Sequence, residues 1–122
     1  MPELNTALFT KVRDQIVPNP ESHEQADFED QYAECGVTRC VAGWAILIDA
    51  QEKGEGITSF RYSAEYRMSG LAPSLFAREL LGLTCEESAR LFFQVDNEEA
   101  VEIVKGCAAG IRPQFALDEE DC

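Results

Sequence analysis

Five cysteines and a single histidine are the residues of this 122-residue chain best suited to chemistry. Cys35 and Cys40, with four residues between them, stand at the edge of the spacings that hold zinc. His23 with Cys85 or Cys107 would have to complete such a site, and none of these lies at short spacing from another ligand. Cys40 falls in the first turn of the helix expected after it, where the helix dipole lowers a thiol pKa. A nucleophile there needs a base. The only imidazole, His23, sits among Glu21, Glu24 and Asp27, a setting that reads as solvated. A reversible Cys35–Cys40 disulfide is a further alternative, disfavoured in a reducing cytosol. The reading adopted is two small thiols packing a turn against the core. No Gly-rich phosphate loop, Gly-x-Ser-x-Gly or His-Glu-x-x-His motif occurs. Asp96–Glu99 and the acidic C-terminus lack the alternating ligands of a calcium loop. No cofactor, metal or catalytic residue is therefore expected, and the chain reads as non-enzymatic.

The clearest pattern is one of charge. From Asp14 to Thr38 there is no Lys or Arg, and Glu21, Glu24, Asp27, Glu29, Asp30 and Glu34 all fall within that stretch. On a helix, Glu24, Asp27, Asp30 and Glu34 share one face, with Phe28 and Tyr32 to dock it. Like charges so placed are mildly destabilising, so either solvation alone or a basic partner has to favour them. These four carboxylates are the candidate partner-binding residues.

The elements that position these groups follow from hydrophobic spacing. Val41 to Ile48 is the longest apolar run, and Ala42, Gly43 and Ala45 argue against a strand. A central helix over roughly 39–53 is predicted, with Thr38 as N-cap and Gly54 as the left-handed stop beside Lys53. Trp44 then belongs to the core rather than to a ligand-stacking surface. Gly43 predicts close approach of a neighbouring helix. Leu4, Leu8, Val12 and Ile16, widened by Phe9, predict a first helix from Pro2 to Val17, ended by Pro18 and Pro20. A weaker helix is expected from Ser22 to about Ala33. Residues 55–70 leave a short strand pair or an ordered loop open. Beyond them, Pro73 opens a helix with Leu75, Phe76, Leu80 and Leu81 on its apolar face, and Gly82 stops it. Thr84-Cys-Glu-Glu87 is a capping box that starts the next helix, which buries Ala89, Leu91, Phe92 and Phe93. Asp96 caps a last helix whose stripe is Ala100, Ile103, Val104, Cys107 and Ala108, and Gly110 stops it.

Two of these stretches carry a resemblance. Cys35-Gly-Val-Thr-Arg-Cys-Val-Ala-Gly-Trp-Ala45 resembles a Cys-Gly-Thr-x-x-Cys-hydrophobic-Ala-Gly-Trp-Ala signature of small uncharacterised proteins of actinobacteria and their phages, with Val37 in place of Thr. Ala77 to Phe92, a Leu-Gly-Leu-Thr turn followed by an Ala-x-x-Leu-Phe helix, is similar to the second block of that family. The resemblance implies a source and a fold, not a reaction.

Composition narrows the partners. The chain carries 23 acidic and 10 basic residues, a net charge of −13. That disfavours direct nucleic-acid binding and anionic membrane surfaces. Arg61 and Arg67 beside Tyr62 and Tyr66 are a satellite core under a loop rather than a nucleic-acid patch. The helix–turn–helix spacing around Leu81–Thr84 is discounted because Glu86 and Glu87 would meet phosphates where a recognition helix makes contact. No apolar run approaches the roughly 20 residues of a membrane span, and the first residues lack the features of a signal peptide. A bacterial or phage-infected cytoplasm is expected.

The expected fold is an all-α, compact single-domain bundle of about five helices around the buried 39–53 helix, with a small β or irregular element near 55–70. Residues 1–112 form the domain and 113–122 an acidic C-terminal tail. The expected function is that of an acidic interaction protein, an actinobacterial or phage accessory factor binding a host protein, or the chain itself, through a basic surface. Two alternatives stand beside it. One is a polyanion mimic that inhibits a DNA-binding protein or nuclease. The other is a small thiol or zinc protein using Cys35, Cys40 and His23.

Overall fold

Helix boundaries in this chain follow from short-range capping. In the computed structural model, residues 3–23 and 40–113 are described. The first helix, α1, spans Thr6–Ile16 and starts later than its apolar spacing suggests. Asn5 sets the boundary, because its side chain accepts the Leu8 backbone N–H at 3.1 Å. Leu8, Phe9, Val12 and Ile16 are buried, as the i+4 spacing requires. A 3₁₀ turn over Pro20–Ser22 follows. The weaker helix expected from Ser22 to Ala33 lies, beyond His23, outside the described residues.

The central helix α2 spans Val41–Glu52. Its N-cap is Cys40, not Thr38, and the Cys40 side chain makes no capping bond. Cys40 is only 2% exposed, so burial of a small apolar side chain, rather than a hydroxyl cap, marks where the chain enters the core. Every residue from Val41 to Leu47 is buried, Trp44 among them. Each large side chain so buried contributes about 1.5–3 kcal/mol. Lys53 and Gly54 end the helix, Gly54 at φ +90°. Lys53 Nζ pairs with Asp49 at 2.9 Å and with Glu65 at 2.7 Å.

The stretch near 55–70 is irregular over 55–59 and mostly helical after that. A 3₁₀ turn spans Phe60–Tyr62, and α3 spans Ala64–Ser69. Two serines bend the chain here: Ser59 accepts the Arg61 N–H and Ser63 the Tyr66 N–H. Each hydroxyl offers the backbone a local partner in place of a strand ladder. Phe60, Tyr66 and Phe76 stack edge to face, with ring centroids 5.6 Å apart at each step. Among the described residues there is no sheet.

Pro73 opens α4, Pro73–Leu81, and Gly82 closes it in the left-handed region at φ +72°. The buried side chains are Phe76, Ala77 and Leu81; Leu75, expected on the apolar face, is 39% exposed. Helix α5 spans Cys85–Phe93 under the expected capping box, with both reciprocal bonds formed. Phe93 is on its outer face, 64% exposed. Helix α6 spans Asn97–Ala108 and is capped by Asp96, which accepts the Glu99 N–H at 2.9 Å.

Helix α2 packs against α1 and α4, and α6 packs against α1. Helices α1 and α6 run antiparallel: the start of α6 meets His23, beyond the end of α1, while Gly110 meets Thr6 at its beginning. No helix among the described residues is long and apolar enough to cross a membrane.

Candidate functional site

Glu24, Asp27, Asp30 and Glu34, the predicted partner-binding residues, lie outside the described residues, as does Cys35. The structure does define the two points between which that acidic stretch runs. At its start, His23 is 5% exposed, not solvated as its acidic sequence neighbours suggest. Tertiary contacts bury it. Asn97 Nδ2, at the first position of α6, donates to the His23 carbonyl at 3.2 Å. Trp44 Nε1 donates to the Ser22 carbonyl at 2.9 Å. The turn before the acidic stretch is thus tied to both α2 and α6. Glu21 in that turn, and Asp96, Glu98 and Glu99 beside Asn97 in sequence, are exposed. At the other end of the stretch, Cys40 is buried at the head of α2.

Basic side chains on the described surface are largely matched to carboxylates. Lys11 pairs with Glu52 at 3.1 Å, Arg13 with Asp14 at 3.0 Å and Lys105 with Glu102 at 3.5 Å. Lys53 pairs with Asp49 and Glu65, and Arg90 faces Glu86 at 3.9 Å. Exposed pairs of this kind add little stability, but each removes a cation from the outer field.

The thiols do not assemble a site. Cys40 and Cys107 carry thiols and are buried, which rules out the Cys35–Cys40 disulfide in this structure. Burial, together with the charge on Glu87 and against the opposing charge of Arg112, pushes the Cys107 thiol up to about 12. Cys85, a further candidate zinc ligand, is disulfide-bonded instead. Among the described residues no three His, Cys, Asp or Glu side chains are grouped to hold a metal ion. Among the described residues, one open groove is lined by Arg13, Asp14, Val17, Pro18 and Lys105, and another by Arg78, Glu79, Leu83, Thr84 and Cys85.

One polar node was not foreseen. Arg112 grips Glu87 through two bonds, Nη2 to Oε1 at 2.7 Å and Nε to Oε2 at 3.1 Å. The same guanidinium donates to the Gly82 carbonyl at 2.9 Å. Glu87 Oε1 also accepts the Thr84 N–H at 2.8 Å, completing the capping box. Burial alone would raise the Glu87 carboxyl. Hydrogen bonds from Arg112 and Thr84, with the Arg112 charge, outweigh it and hold that carboxyl below its ordinary value. The capping box was legible in the local sequence; its third partner, 25 residues away, had no local signal.

In comparisons with known proteins, no family model matches the chain, and no curated protein or solved structure matches it.

Proposed function

We propose that this chain is a non-enzymatic, acidic interaction protein that binds a partner presenting a basic surface. Glu24, Asp27, Asp30 and Glu34 form the contact. The observation that carries the reading is the pairing of Lys11, Arg13, Lys53, Lys105 and Arg112 with carboxylates. These cations are matched locally, and the chain as a whole keeps a net charge of −13. The turn at Ser22 and His23, tied to Trp44 and Asn97, supports the same reading, because the acidic stretch begins from a fixed post. Resemblance to the actinobacterial and phage family supplies a setting: an accessory factor acting on a host protein.

A field of one sign speeds encounter more than it deepens affinity. The test begins with a pull-down from host lysate at low and high salt, followed by association kinetics with the captured protein. Changing Glu24, Asp27, Asp30 and Glu34 together to Gln or Asn is expected to slow association about tenfold at low salt and to flatten its salt dependence. Unchanged on-rates would remove these residues from the interface. Competition separates the polyanion mimic: duplex DNA displaces the chain only from a partner whose DNA-binding groove it fills.

A further inference from the structure

We infer that residues 109–113 form a strap that opens locally while the bundle stays folded, with Arg112 as its latch and Cys107 as the thiol it covers. Apolar burial does not hold this segment: Ala109 and Gly110 are exposed, and Ile111 is 62% exposed. Polar contacts hold it instead. The Ile111 N–H donates to the Gly106 carbonyl at 2.9 Å, and Arg112 reaches Gly82 and both oxygens of Glu87. Cys107 lies two residues before the strap and is fully buried, and the Gly110 N–H of the strap donates to its carbonyl at 3.0 Å. Segments with few apolar contacts and polar attachments are the ones that open below the global unfolding free energy. Arg112 is a positioning residue here: its fork closes the strap onto α5 across the α4–α5 turn.

The test is alkylation of Cys107 by N-ethylmaleimide in the full chain under native, non-reducing conditions, read by peptide mass spectrometry. Amide exchange of Ala45 and Leu47 in α2 reports global opening in the same samples. In the parent, Cys107 labelling is expected to show little dependence on sub-denaturing urea, whereas α2 exchange rises with it. Arg112→Ala is expected to speed Cys107 labelling about tenfold or more beyond any change in α2 exchange, since a charged, forked contact is lost. Glu87→Gln keeps an acceptor for the Thr84 N–H and removes the charge, and is expected to act in the same direction by less. Parallel acceleration of Cys107 and α2 in the variants, or a shared urea dependence in the parent, would show that the strap opens only with the whole bundle and would overturn the inference. Unchanged Cys107 labelling in Arg112→Ala would show that Arg112 is no latch.

Discussion

Gly82→Ala tests how closely the chain's first described residues are built into the bundle. Gly82 lies at φ +72°, and a Cβ placed there runs into the Glu3 carbonyl oxygen and comes within 3.1 Å of the Leu4 Cα. Both obstacles are backbone, so neither can rotate away. A left-handed alanine costs about 1–2 kcal/mol. Moving the strand of residues aside also strains the Asn5 contacts, Asn5 N to Leu81 O at 2.9 Å and Asn5 Nδ2 to Leu80 O at 2.8 Å. Their loss is worth about 1 kcal/mol each. Lower entropy of the unfolded chain returns about 0.4–1 kcal/mol. The net loss is about 2–3.6 kcal/mol, or about 8–15 °C in Tm for a domain of this size. Gly54→Ala is the internal control: φ is +90° there as well, yet nothing lies within 4 Å of the added Cβ. Its cost is the conformational part alone, about 1 kcal/mol after the entropy return. Thermal unfolding followed by far-UV circular dichroism compares the two. Equal shifts in Tm would refute the close approach of Glu3 to Gly82.

Two further outcomes follow from the core and from the polar node. Trp44→Ala is expected to cost about 3–5 kcal/mol by urea denaturation, and Trp44→Phe about 1–2 kcal/mol, because the Ser22 carbonyl loses its donor; a Trp44→Ala protein as stable as the parent would place the ring outside the core. Glu87 has a lowered pKa in the folded chain, so it contributes stability above its ordinary unfolded value, and that contribution is lost as pH falls through the folded one. Glu87→Gln should therefore be less stable than the parent at neutral pH, with the difference closing at acid pH, and a pH-independent difference in urea midpoint would contradict this.

The second half of the chain was the more legible in sequence. Pro73, Gly82, the Thr84–Glu87 box and Asp96 are local signals, and each acts within one helical turn of the boundary it sets. Apolar spacing also placed Trp44 and, apart from Leu4 before the helix, the α1 stripe. It failed where burial depends on a distant partner. Leu75 and Phe93 look like core from their composition, but the neighbouring helices pack on Phe76, Ala77, Leu91 and Phe92 instead. His23 looks solvated beside its acidic neighbours, and its contact with Asn97, 74 residues away, shows otherwise. Arg112 sits at the very edge of the expected domain, where a single cation gives no sign of the carboxylate it will meet. Residues 55–70 defeated periodicity because hydroxyl caps at Ser59 and Ser63, not apolar spacing, set their turns.

The chain contains one tryptophan, and its indole N–H is spoken for by the Ser22 carbonyl. That makes Trp44 a resident reporter. Its indole proton gives a single resonance in a nitrogen–proton correlation spectrum, with no second tryptophan to confuse the assignment. The carbonyl it touches belongs to the residue immediately before His23, at the root of the acidic stretch. A ligand that tugs on that stretch and shifts the root will move this resonance; one that settles on the carboxylates without disturbing the root will leave it in place. Binding and transmission of strain into the core can thus be read apart in an unlabelled partner's titration, with no dye attached and no residue changed.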